Sequence, residues 1–458
     1  MAKAQAWTVT ALLTLLTVVS FVDRQVLALL VDDLKADLQI SDIQFGVLIG
    51  PAFIITYNLL LMPAAFLIDR WNRKLLLIFG CVLWTAMTAL SAFAQSYEQL
   101  VTLRLGLAVG EAFLGPIAIS IIGDLFSRDE RSLPTAVFVA GGTVGTTSAT
   151  FFSALAYEWA MSIHLVLPTI GVAAPWRLTL IAVAMPAAVL GVLFTLFARE
   201  PMRDTADPGD RPDAVSLGTH ARSHGVIYLP ACLAAGLVLM SSSAINIWGP
   251  AFLMRAHGLT QVEAGYLLGA TSLVVSVTGL LSFPILARWR ARSRPRSTAM
   301  TEISAAATAC AIPGLALAGL SGTLWISMAG VGMSLGCLAC ALALPTQLIQ
   351  LHTLSSIKAR VTAFALFVMF LISIGIGPVL IPIVAQAVFA GPFALGRALA
   401  VSGVLACGGA LLLKLWLHRQ LMLMRVDGPL LRADASAEAS APQYPFMQSR
   451  NGLGAEPE

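Results

Sequence analysis

The segment from Ile43 to Ala94 reads IQFGVLIGPAFIITYNLLLMPAAFLIDRWNRKLLLIFGCVLWTAMTALSAFA and gives the strongest indication of the fold class. It contains two long apolar runs separated by one short charged turn, DRWNRK at 69–74. A hydrocarbon core about 30 Å thick needs roughly 20 apolar residues of α-helix, so each run is long enough to span a bilayer. The short turn carries Arg70, Arg73 and Lys74. A loop of this kind is expected on the cytoplasmic side.

Composition extends this interpretation to the whole chain of 458 residues. Hydrophobic residues make up 58% of the chain and charged residues 11%, whereas soluble domains carry about 25% charged residues. The sequence therefore predicts an all-α membrane protein. Its net charge of +4 is spread over the loops and gives no sign of a nucleic-acid partner. The apolar runs predict twelve transmembrane helices, near 7–31, 43–68, 75–94, 98–126, 133–157, 175–198, 226–253, 263–287, 298–320, 323–351, 361–388 and 394–418.

Two polar segments divide the chain into four predicted parts. Residues 1–198 form an N-terminal six-helix bundle and residues 226–418 a C-terminal one, with a Pro- and Gly-containing cytoplasmic linker at 199–225. Residues 419–458 are predicted to be a disordered cytoplasmic tail. Basic residues concentrate in the loops on one side, which places both termini in the cytoplasm. Two such bundles are expected to enclose a central cavity near the bilayer midplane.

Four ionisable residues lie inside predicted spans, where each costs about 2.5–3.5 kcal/mol on insertion scales. Asp23 and Arg24 are in the first span, and Arg104 and Glu111 are two helical turns apart in the fourth. Because the two spans run in opposite directions, we expect all four side chains near the midplane, with Arg24 beside Arg104 and Glu111. Two interpretations stay open. The four residues form either a structural ion-pair network between the helices or a site where Glu111, and Asp23 with it, exchanges protons.

The second half of the chain offers hydrogen-bonding groups in place of charges. Asn246, Gln347 and Gln350 are the candidate cavity residues, and Glu302 is interpreted as an interfacial residue of the ninth span. An apolar cavity with few polar groups favours an amphipathic substrate over a sugar. No paired-histidine spacing, phosphate-binding loop or nucleophile elbow is present, so the sequence predicts no metal site, no cofactor and no enzymatic activity.

The charged turn also carries a family resemblance. Ala65-x-x-x-Asp69-Arg70-x-x-Arg73-Lys74 resembles the G-x-x-x-D-R-x-x-R-[RK] signature between helices 2 and 3 of major facilitator superfamily transporters. Further segments resemble the bacterial branch of Spinster-like transporters, at 21–25, 38–46, 104–112 and 250–259.

The resemblance implies roles for two groups of residues. It assigns Asp23, Arg24 and Glu111 to a central cavity and to proton coupling. It makes the turn at 69–74 a cytoplasmic latch, in which Asp69 pairs near the start of helix 11, at Arg360 and Val361. Ala65 departs from the leading Gly of the signature. In the second half, Phe283 and Ala287 stand where a repeat of the signature would have Gly and Asp, so a second, symmetric latch is not expected.

Together these features favour a proton-coupled secondary transporter in a bacterial inner membrane. It would move a small amphipathic or organic-anion-type solute by alternating access, as a monomer whose partners are the solute, protons and the lipid bilayer. Two alternatives stay open: a drug efflux transporter of the same superfamily, and a non-transporting membrane receptor on a degenerate transporter scaffold.

Overall fold

The structure, a computed structural model, describes residues 3–127, 129–163, 165–167, 171–201, 217–353 and 358–427. The described chain is almost entirely helical. Its helices, in chain order, are α1 Lys3–Leu29, α2 Val31–Leu38, α3 Asp42–Ile49, α4 Pro51–Arg70, α5 Arg73–Ser91, α6 Tyr97–Glu111, α7 Leu114–Leu125, α8 Ser132–Met161, α9 Pro175–Phe197, α10 Leu217–His257, α11 Gln261–Arg290, α12 Arg296–Leu320, α13 Leu324–Ala341, α14 Leu344–His352, α15 Lys358–Phe370, α16 Gly377–Val388 and α17 Ala394–Asp427.

These helices confirm the all-α membrane fold, and the predicted count of twelve spans is consistent with them. Eleven helical stretches of the described chain are long and apolar enough by themselves to cross a membrane. The remaining long helix, α8, contains many Gly, Thr and Ser residues and packs against α1, α9 and α11. The faces that contact these neighbours can carry small polar residues, whereas Val139, Phe152 and Leu155 of the same helix are exposed.

The helix ends differ from the predicted domain boundaries in two places. α10 begins at Leu217, inside the predicted linker, and α17 continues to Asp427, inside the predicted tail. Most of the linker and tail, residues 202–216 and 428–458, lies outside the described residues. The four-part division of the chain therefore stays a prediction.

Prolines interrupt several spans. The fourth span breaks between α6 and α7, where Pro116 cannot donate a hydrogen bond to the carbonyl group of Ala112. The tenth span breaks in the same way between α13 and α14, ahead of Pro345. In the eleventh span a π-helical segment, Leu371–Ile376, joins α15 to α16. The first of these breaks places Glu111 at the last position of α6.

We call the end of the bundle that carries α2 and the turns at 258–260 and 389–393 the distal end, because it lies opposite the N-terminus of α1. A small antiparallel hairpin, β1 Val166–Leu167 and β2 Gly171–Val172, precedes α9 at this end. The two halves of the chain contact each other through α8 against α11, α3 against α16, α4 against the π-helical segment, and α1 against α10.

Glycines bring the two halves together most closely near the distal end. A Cβ atom on Gly269 of α11 would lie 2.3 Å from the backbone nitrogen of Phe151 in α8. A Cβ atom on Gly46 of α3 would lie 2.4 Å from the carbonyl oxygen of Pro378 in α16. Both separations are far below van der Waals contact, so these crossings require glycine. The distal end is closed by direct backbone packing.

Candidate functional site

The four buried ionisable residues of the first half lie together between α1 and α6. The Arg24 Nε atom donates a hydrogen bond to Glu111 Oε2, and Arg104 Nη1 donates to the backbone carbonyl of Asp23 at 3.3 Å. Asp23 and Glu111 are fully buried, and Arg104 is 3% exposed. The Arg24 side chain, which is 19% exposed, is the member of this group that reaches accessible space. We refer to these four residues as the central cluster.

Three aromatic rings surround the guanidinium group of Arg24. Its central carbon lies 4.9 Å from the ring centroids of Phe21 and Phe53 and 4.8 Å from that of Tyr57. Phe53 and Tyr57 stack on each other one turn apart on α4. Cation–π contacts of this kind strengthen when the site is dry, so the rings hold the guanidinium in place although 19% of the side chain stays exposed.

Asp23 has a different environment from Glu111. Its Oδ2 atom accepts a hydrogen bond from the Thr88 hydroxyl at 2.5 Å. Three buried atoms of the central cluster have no hydrogen-bond partner among the described residues: Asp23 Oδ1, Arg104 Nε and Glu111 Oε1. Unpartnered polar atoms in a buried site are costly to keep. The central cluster is therefore better suited to exchanging protons or binding a ligand than to stabilising the fold alone.

The candidate residues of the second half do not join the central cluster. Asn246 is 6% exposed, and its Nδ2 atom donates to the Ser242 carbonyl one turn earlier at 2.9 Å. Its Oδ1 atom is buried without a partner among the described residues. Gln347 is half-buried and Gln350 is exposed, both on α14. A role for these three residues in the cavity stays a prediction.

The charged turn at 69–74 is held mainly by helices of its own half. Arg73 is 2% exposed and donates to Asp124 Oδ2 at 2.5 Å, to Glu200 Oε1 at 2.8 Å, to the Ser120 hydroxyl at 2.8 Å and to the carbonyl oxygen of Pro201 at 3.0 Å. Glu200 also accepts a hydrogen bond from the backbone nitrogen of Lys74 at 2.8 Å. These partners tie the start of α5 to the ends of α7 and α9. Sequence reasoning missed them, although each carboxylate lies two positions from the end of a predicted span, Asp124 before 126 and Glu200 after 198.

The other residues of the predicted latch lie on the surface. Arg70 places its guanidinium 3.9 Å from the ring centroid of Phe66, and Asp69 is exposed at the end of α4. Of the predicted partners of Asp69, the side chain of Arg360 lies outside the described residues, and Val361 is 9% exposed. The latch between the two halves at this end stays a prediction.

A second charged network, which we call the distal network, joins the two halves at the distal end. Arg255 at the end of α10 donates to Asp32 through Nε at 3.0 Å and to both carboxylate oxygens of Asp42 at 2.9 and 3.0 Å. The Gln261 amide of α11 donates to Asp33 at 2.9 Å. The Lys35 ammonium lies 2.7 Å from Asp42. No pattern in the sequence pairs these residues, because Asp32 and Arg255 are 223 positions apart.

Helix α2 is the centre of the distal network. Its other carboxylates bind the first half: Asp33 accepts from the Tyr157 hydroxyl at 2.8 Å, and Asp37 accepts from Arg177 Nη2 at 2.8 Å and from Trp176 Nε1 at 3.0 Å. Burial, together with the nearby carboxylates of Asp32 and Asp37, raises the pKa of Asp33 above its ordinary value, although hydrogen bonds from Tyr157 and Gln261 oppose this shift.

The second half holds two ionisable groups whose surroundings the sequence does not reveal. Lys414 of α17 is 1% exposed, and its Nζ atom donates to the Thr308 hydroxyl at 2.6 Å and to the Ser304 carbonyl at 3.3 Å. Glu302 is more than an interfacial residue, because Arg290 Nε donates to it at 2.5 Å and His418 Nε2 lies 3.9 Å from it. Both groups tie α12 to neighbouring helices, and neither joins the central cluster.

Comparison with known proteins gives consistent matches. The family model described as Major Facilitator Superfamily matches residues 13–378. Protein spinster homolog 1 of Xenopus tropicalis is 27% identical over 312 residues, which cover 63% of this chain and 56% of that protein. An MFS-type efflux pump of Mycolicibacterium smegmatis is 29% identical over 297 residues, covering 64% and 65%. The sphingosine-1-phosphate transporter SPNS2 of Danio rerio is 28% identical over 252 residues, covering 52% and 46%. The chain thus spans less than two thirds of the length of each of these relatives.

Solved structures give the same fold. A bacterial homolog of the human lysosomal transporter Spinster, in an inward-facing and unoccupied conformation, superposes with a TM-score of 0.76 at 22% identity, covering 91% of this chain and 97% of that one. These matches confirm the resemblance to Spinster-like proteins, and they are to transporters rather than enzymes, as the sequence predicts. Because the family model covers most of its length, the chain belongs to the Major Facilitator Superfamily.

Proposed function

We propose that this chain is a secondary active transporter that couples the movement of a small amphipathic or organic-anion-type solute to protons. The observation that carries the proposal is Arg24, a partly accessible guanidinium held on the buried carboxylate of Glu111 inside an aromatic enclosure. An arginine at this depth in a membrane protein is a functional residue by default, because a purely structural contact is made more cheaply by apolar side chains.

The surroundings of Arg24 define the solute class. A guanidinium released by Glu111 can bind an anionic head group, since arginine forms paired hydrogen bonds with carboxylate and phosphate. The rings of Phe21, Phe53 and Tyr57 offer apolar contact beside it. A solute with one anionic head and an apolar body fits this pairing. The sphingosine-1-phosphate transporter among the relatives is named for a solute of this kind.

Proton coupling follows from competition for the same guanidinium. With Glu111 ionised, its carboxylate occupies Arg24. Protonation of Glu111 removes the negative charge and frees Arg24 for the anionic solute, while release of the solute returns Arg24 to the carboxylate. Proton and anion then bind together, and Arg104 and Asp23 complete the charge balance of the buried site.

The arrangement of the halves supports alternating access. The glycine crossings and the distal network hold the distal end closed. By the distribution of basic loops, the distal end faces the outside of a bacterial inner membrane and both termini face the cytoplasm. The two predicted six-helix bundles then rock about the central cluster, with the turn at 69–74 as a latch at the cytoplasmic end. The transporter acts as a monomer in this scheme.

The test is Glu111→Gln in proteoliposomes with an imposed pH gradient. Thermal-shift screening of purified protein with lysophosphatidylglycerol, benzoate and gluconate first identifies the solute class. Uptake of the best ligand is then measured with and without the gradient. We expect wild-type uptake to depend on the gradient, and the Gln variant to bind and exchange the ligand without responding to the gradient.

The matched control is Glu98→Gln, which makes the same chemical change at the exposed start of α6. This control should keep gradient-driven uptake. Gradient-driven uptake that survives intact in Glu111→Gln would reduce the central cluster to a structural ion-pair network.

A drug efflux transporter is the second candidate, favoured by the similarity to the mycobacterial efflux pump. The same screen separates the two, because an efflux transporter of broad specificity would respond to cationic dyes as well as to anionic amphiphiles. Ligand binding without any flux would instead favour a non-transporting receptor.

A further inference from the structure

Thr88 is the one side chain of the described residues that hydrogen-bonds to the carboxylate of Asp23. It lies on α5, a helix that contributes no charge to the central cluster, and it is 1% exposed. Its Oγ1 atom is 2.5 Å from Asp23 Oδ2 and 3.1 Å from the carbonyl oxygen of Trp84, one turn earlier on α5. The hydroxyl group therefore has two oxygen neighbours at hydrogen-bonding distance.

A threonine hydroxyl has one hydrogen atom, so it can donate to only one of these oxygens at a time. When Asp23 is ionised, Thr88 donates to Oδ2 and the Trp84 carbonyl keeps only its helical bond. When Oδ2 holds a proton, the carboxylic acid donates to the Thr88 oxygen, and the hydroxyl hydrogen turns to the Trp84 carbonyl. Each state keeps Oδ2 hydrogen-bonded, and the exchange requires rotation of one hydrogen atom without movement of a side chain.

The charged groups that face Asp23 make this exchange relevant. They are Arg24 on its own helix and Arg104 and Glu111 on α6, and within the described chain no other charged group acts on Asp23. Arg104 contacts the backbone carbonyl of Asp23 at 3.3 Å and forms no bond with its carboxylate, and Oδ1 has no partner among the described residues. Thr88 thus supplies the hydrogen bond that the arginines do not.

We propose that Thr88 is a positioning residue for Asp23, whose hydroxyl lets this carboxyl group take up and release a proton without losing its hydrogen bond. The inference rests on the proposed proton-coupled function and adds a residue outside the four charges. Asp23 then serves as a second proton-exchanging group beside Glu111, oriented from α5.

The first test compares Thr88→Val, which keeps the shape of the side chain without the hydroxyl, with Thr88→Ser, which keeps the hydroxyl. The readout is the pH profile of gradient-driven uptake of the ligand selected in the thermal-shift screen. Loss of a hydrogen bond to a charged carboxylate corresponds to a displacement of the pH profile by about one pH unit. We expect this displacement in the Val variant and a profile close to wild type in the Ser variant.

The matched control is Thr10→Val. Thr10 is a fully buried threonine of α1 that donates to the Ala6 carbonyl at 2.9 Å and contacts no carboxylate. This control should leave the pH profile in place. The inference is overturned if the pH profile of Thr88→Val superposes on that of wild type. It is also overturned if Thr88→Val and Thr10→Val displace the profile equally, because Thr88 would then be an ordinary helix-bonded threonine.

A second measurement does not depend on transport. Infrared difference spectra of the purified protein on acidification should contain a carboxylic-acid C=O band that is absent in Asp23→Asn. Thr88→Val should shift this band, and Thr88→Ser should restore its position. A band whose position is the same in wild type, Thr88→Val and Thr88→Ser contradicts the inference, even if Glu111→Gln behaves as proposed. Wild-type uptake that does not depend on the pH gradient would instead overturn the proposed function. The infrared spectra would still test whether Thr88 is hydrogen-bonded to Asp23 as proposed.

Discussion

At the scale of single residues, the protein handles buried charge in two ways. Arg73 is satisfied by two carboxylates, a hydroxyl and a carbonyl, which is the pattern of a structural ion pair. The central cluster instead leaves polar atoms of Asp23, Arg104 and Glu111 without hydrogen-bond partners in the part of the chain that the structure describes. The proposed proton site thus differs from the structural ion pair of Arg73 in that some of its buried polar atoms lack hydrogen-bond partners among the described residues.

Asp33 lies outside the membrane-spanning segments, and its environment predicts how the stability of the protein depends on pH. Its pKa in the folded state is raised by burial, so the folded protein binds this proton more readily than the unfolded chain does. The resulting stabilisation is complete below the unfolded pKa of Asp, about 3.9, and is lost as the pH rises through the folded pKa. We therefore expect Asp33→Asn to raise the melting temperature near pH 8, with the gain disappearing toward about pH 4.

The control for this prediction is Asp129→Asn, a change at an exposed aspartate of the loop before α8. Its melting temperature should follow wild type at every pH. A lower melting temperature for Asp33→Asn across the whole range would mean that the hydrogen bonds from Tyr157 and Gln261 outweigh the cost of burying the charge.

At the scale of elements, the contact between α8 and α11 depends on the absence of side chains. Gly265 and Gly269 of α11 face Ala154 and Phe151 of α8, and an added Cβ at either position would overlap its neighbour. The same device operates where Gly46 of α3 meets α16. Small residues thus replace the hydrophobic driving force that is missing between helices in lipid.

We expect Gly269→Ala to destabilise the protein at the contact between α8 and α11. Overpacking of a tight contact costs about 1–3 kcal/mol, because the two helices have to move apart. The matched control is Gly408→Ala in α17, where an added Cβ would meet nothing within 4 Å. Melting in detergent should show a lower midpoint for Gly269→Ala and an unchanged or higher midpoint for Gly408→Ala. Equal midpoints would argue against tight packing between α8 and α11.

At the scale of the whole molecule, the distal network connects helix α2 to both halves. Within α2, Asp37 binds the first half and Asp32 binds Arg255 of the second. Asp33 accepts hydrogen bonds from both halves, and Asp42 of α3 also binds Arg255. If the halves rock as proposed, α2 stays with the first half, and the bonds of Arg255 and Gln261 break when the distal end opens.

We expect Arg255→Ala to shift the population toward a distal-open state. Partly exposed ion pairs contribute about 1 kcal/mol, which corresponds to roughly a fivefold change in the open fraction. The measurement is the rate at which a membrane-impermeant maleimide labels a cysteine introduced at Thr150, a buried residue of α8 whose backbone carbonyl oxygen would lie 3.2 Å from a Cβ atom on Gly265. The native cysteines are replaced by serine for this experiment.

The control is Arg397→Ala, because Arg397 is an exposed arginine near the distal start of α17. Labelling at position 150 should stay at the wild-type rate in this variant. If labelling at position 150 is as slow in Arg255→Ala as in the wild-type background, the prediction is wrong. The glycine crossings alone would then keep the distal end closed.

The sequence alone predicts the class of the protein, the approximate limits of its spans and the positions of its buried charges. These properties depend on each residue and its neighbours along the chain, because hydropathy and helical periodicity are local. It also placed Arg24 near Glu111, since two antiparallel helices of known length bring matching depths together. The resemblance of the turn at 69–74 to a transporter signature added the family.

The hydrogen-bond partners of the polar groups follow from the packing of the helices. Thr88 meets Asp23 across 65 positions of sequence, and Arg255 meets Asp32 across 223. Such pairs depend on the rotation of each helix about its axis and on the crossing of the two halves, which local pattern does not specify. For the same reason the carboxylate partners of Arg73, the neighbours of Lys414 and the role of α2 become visible only when the helices are packed.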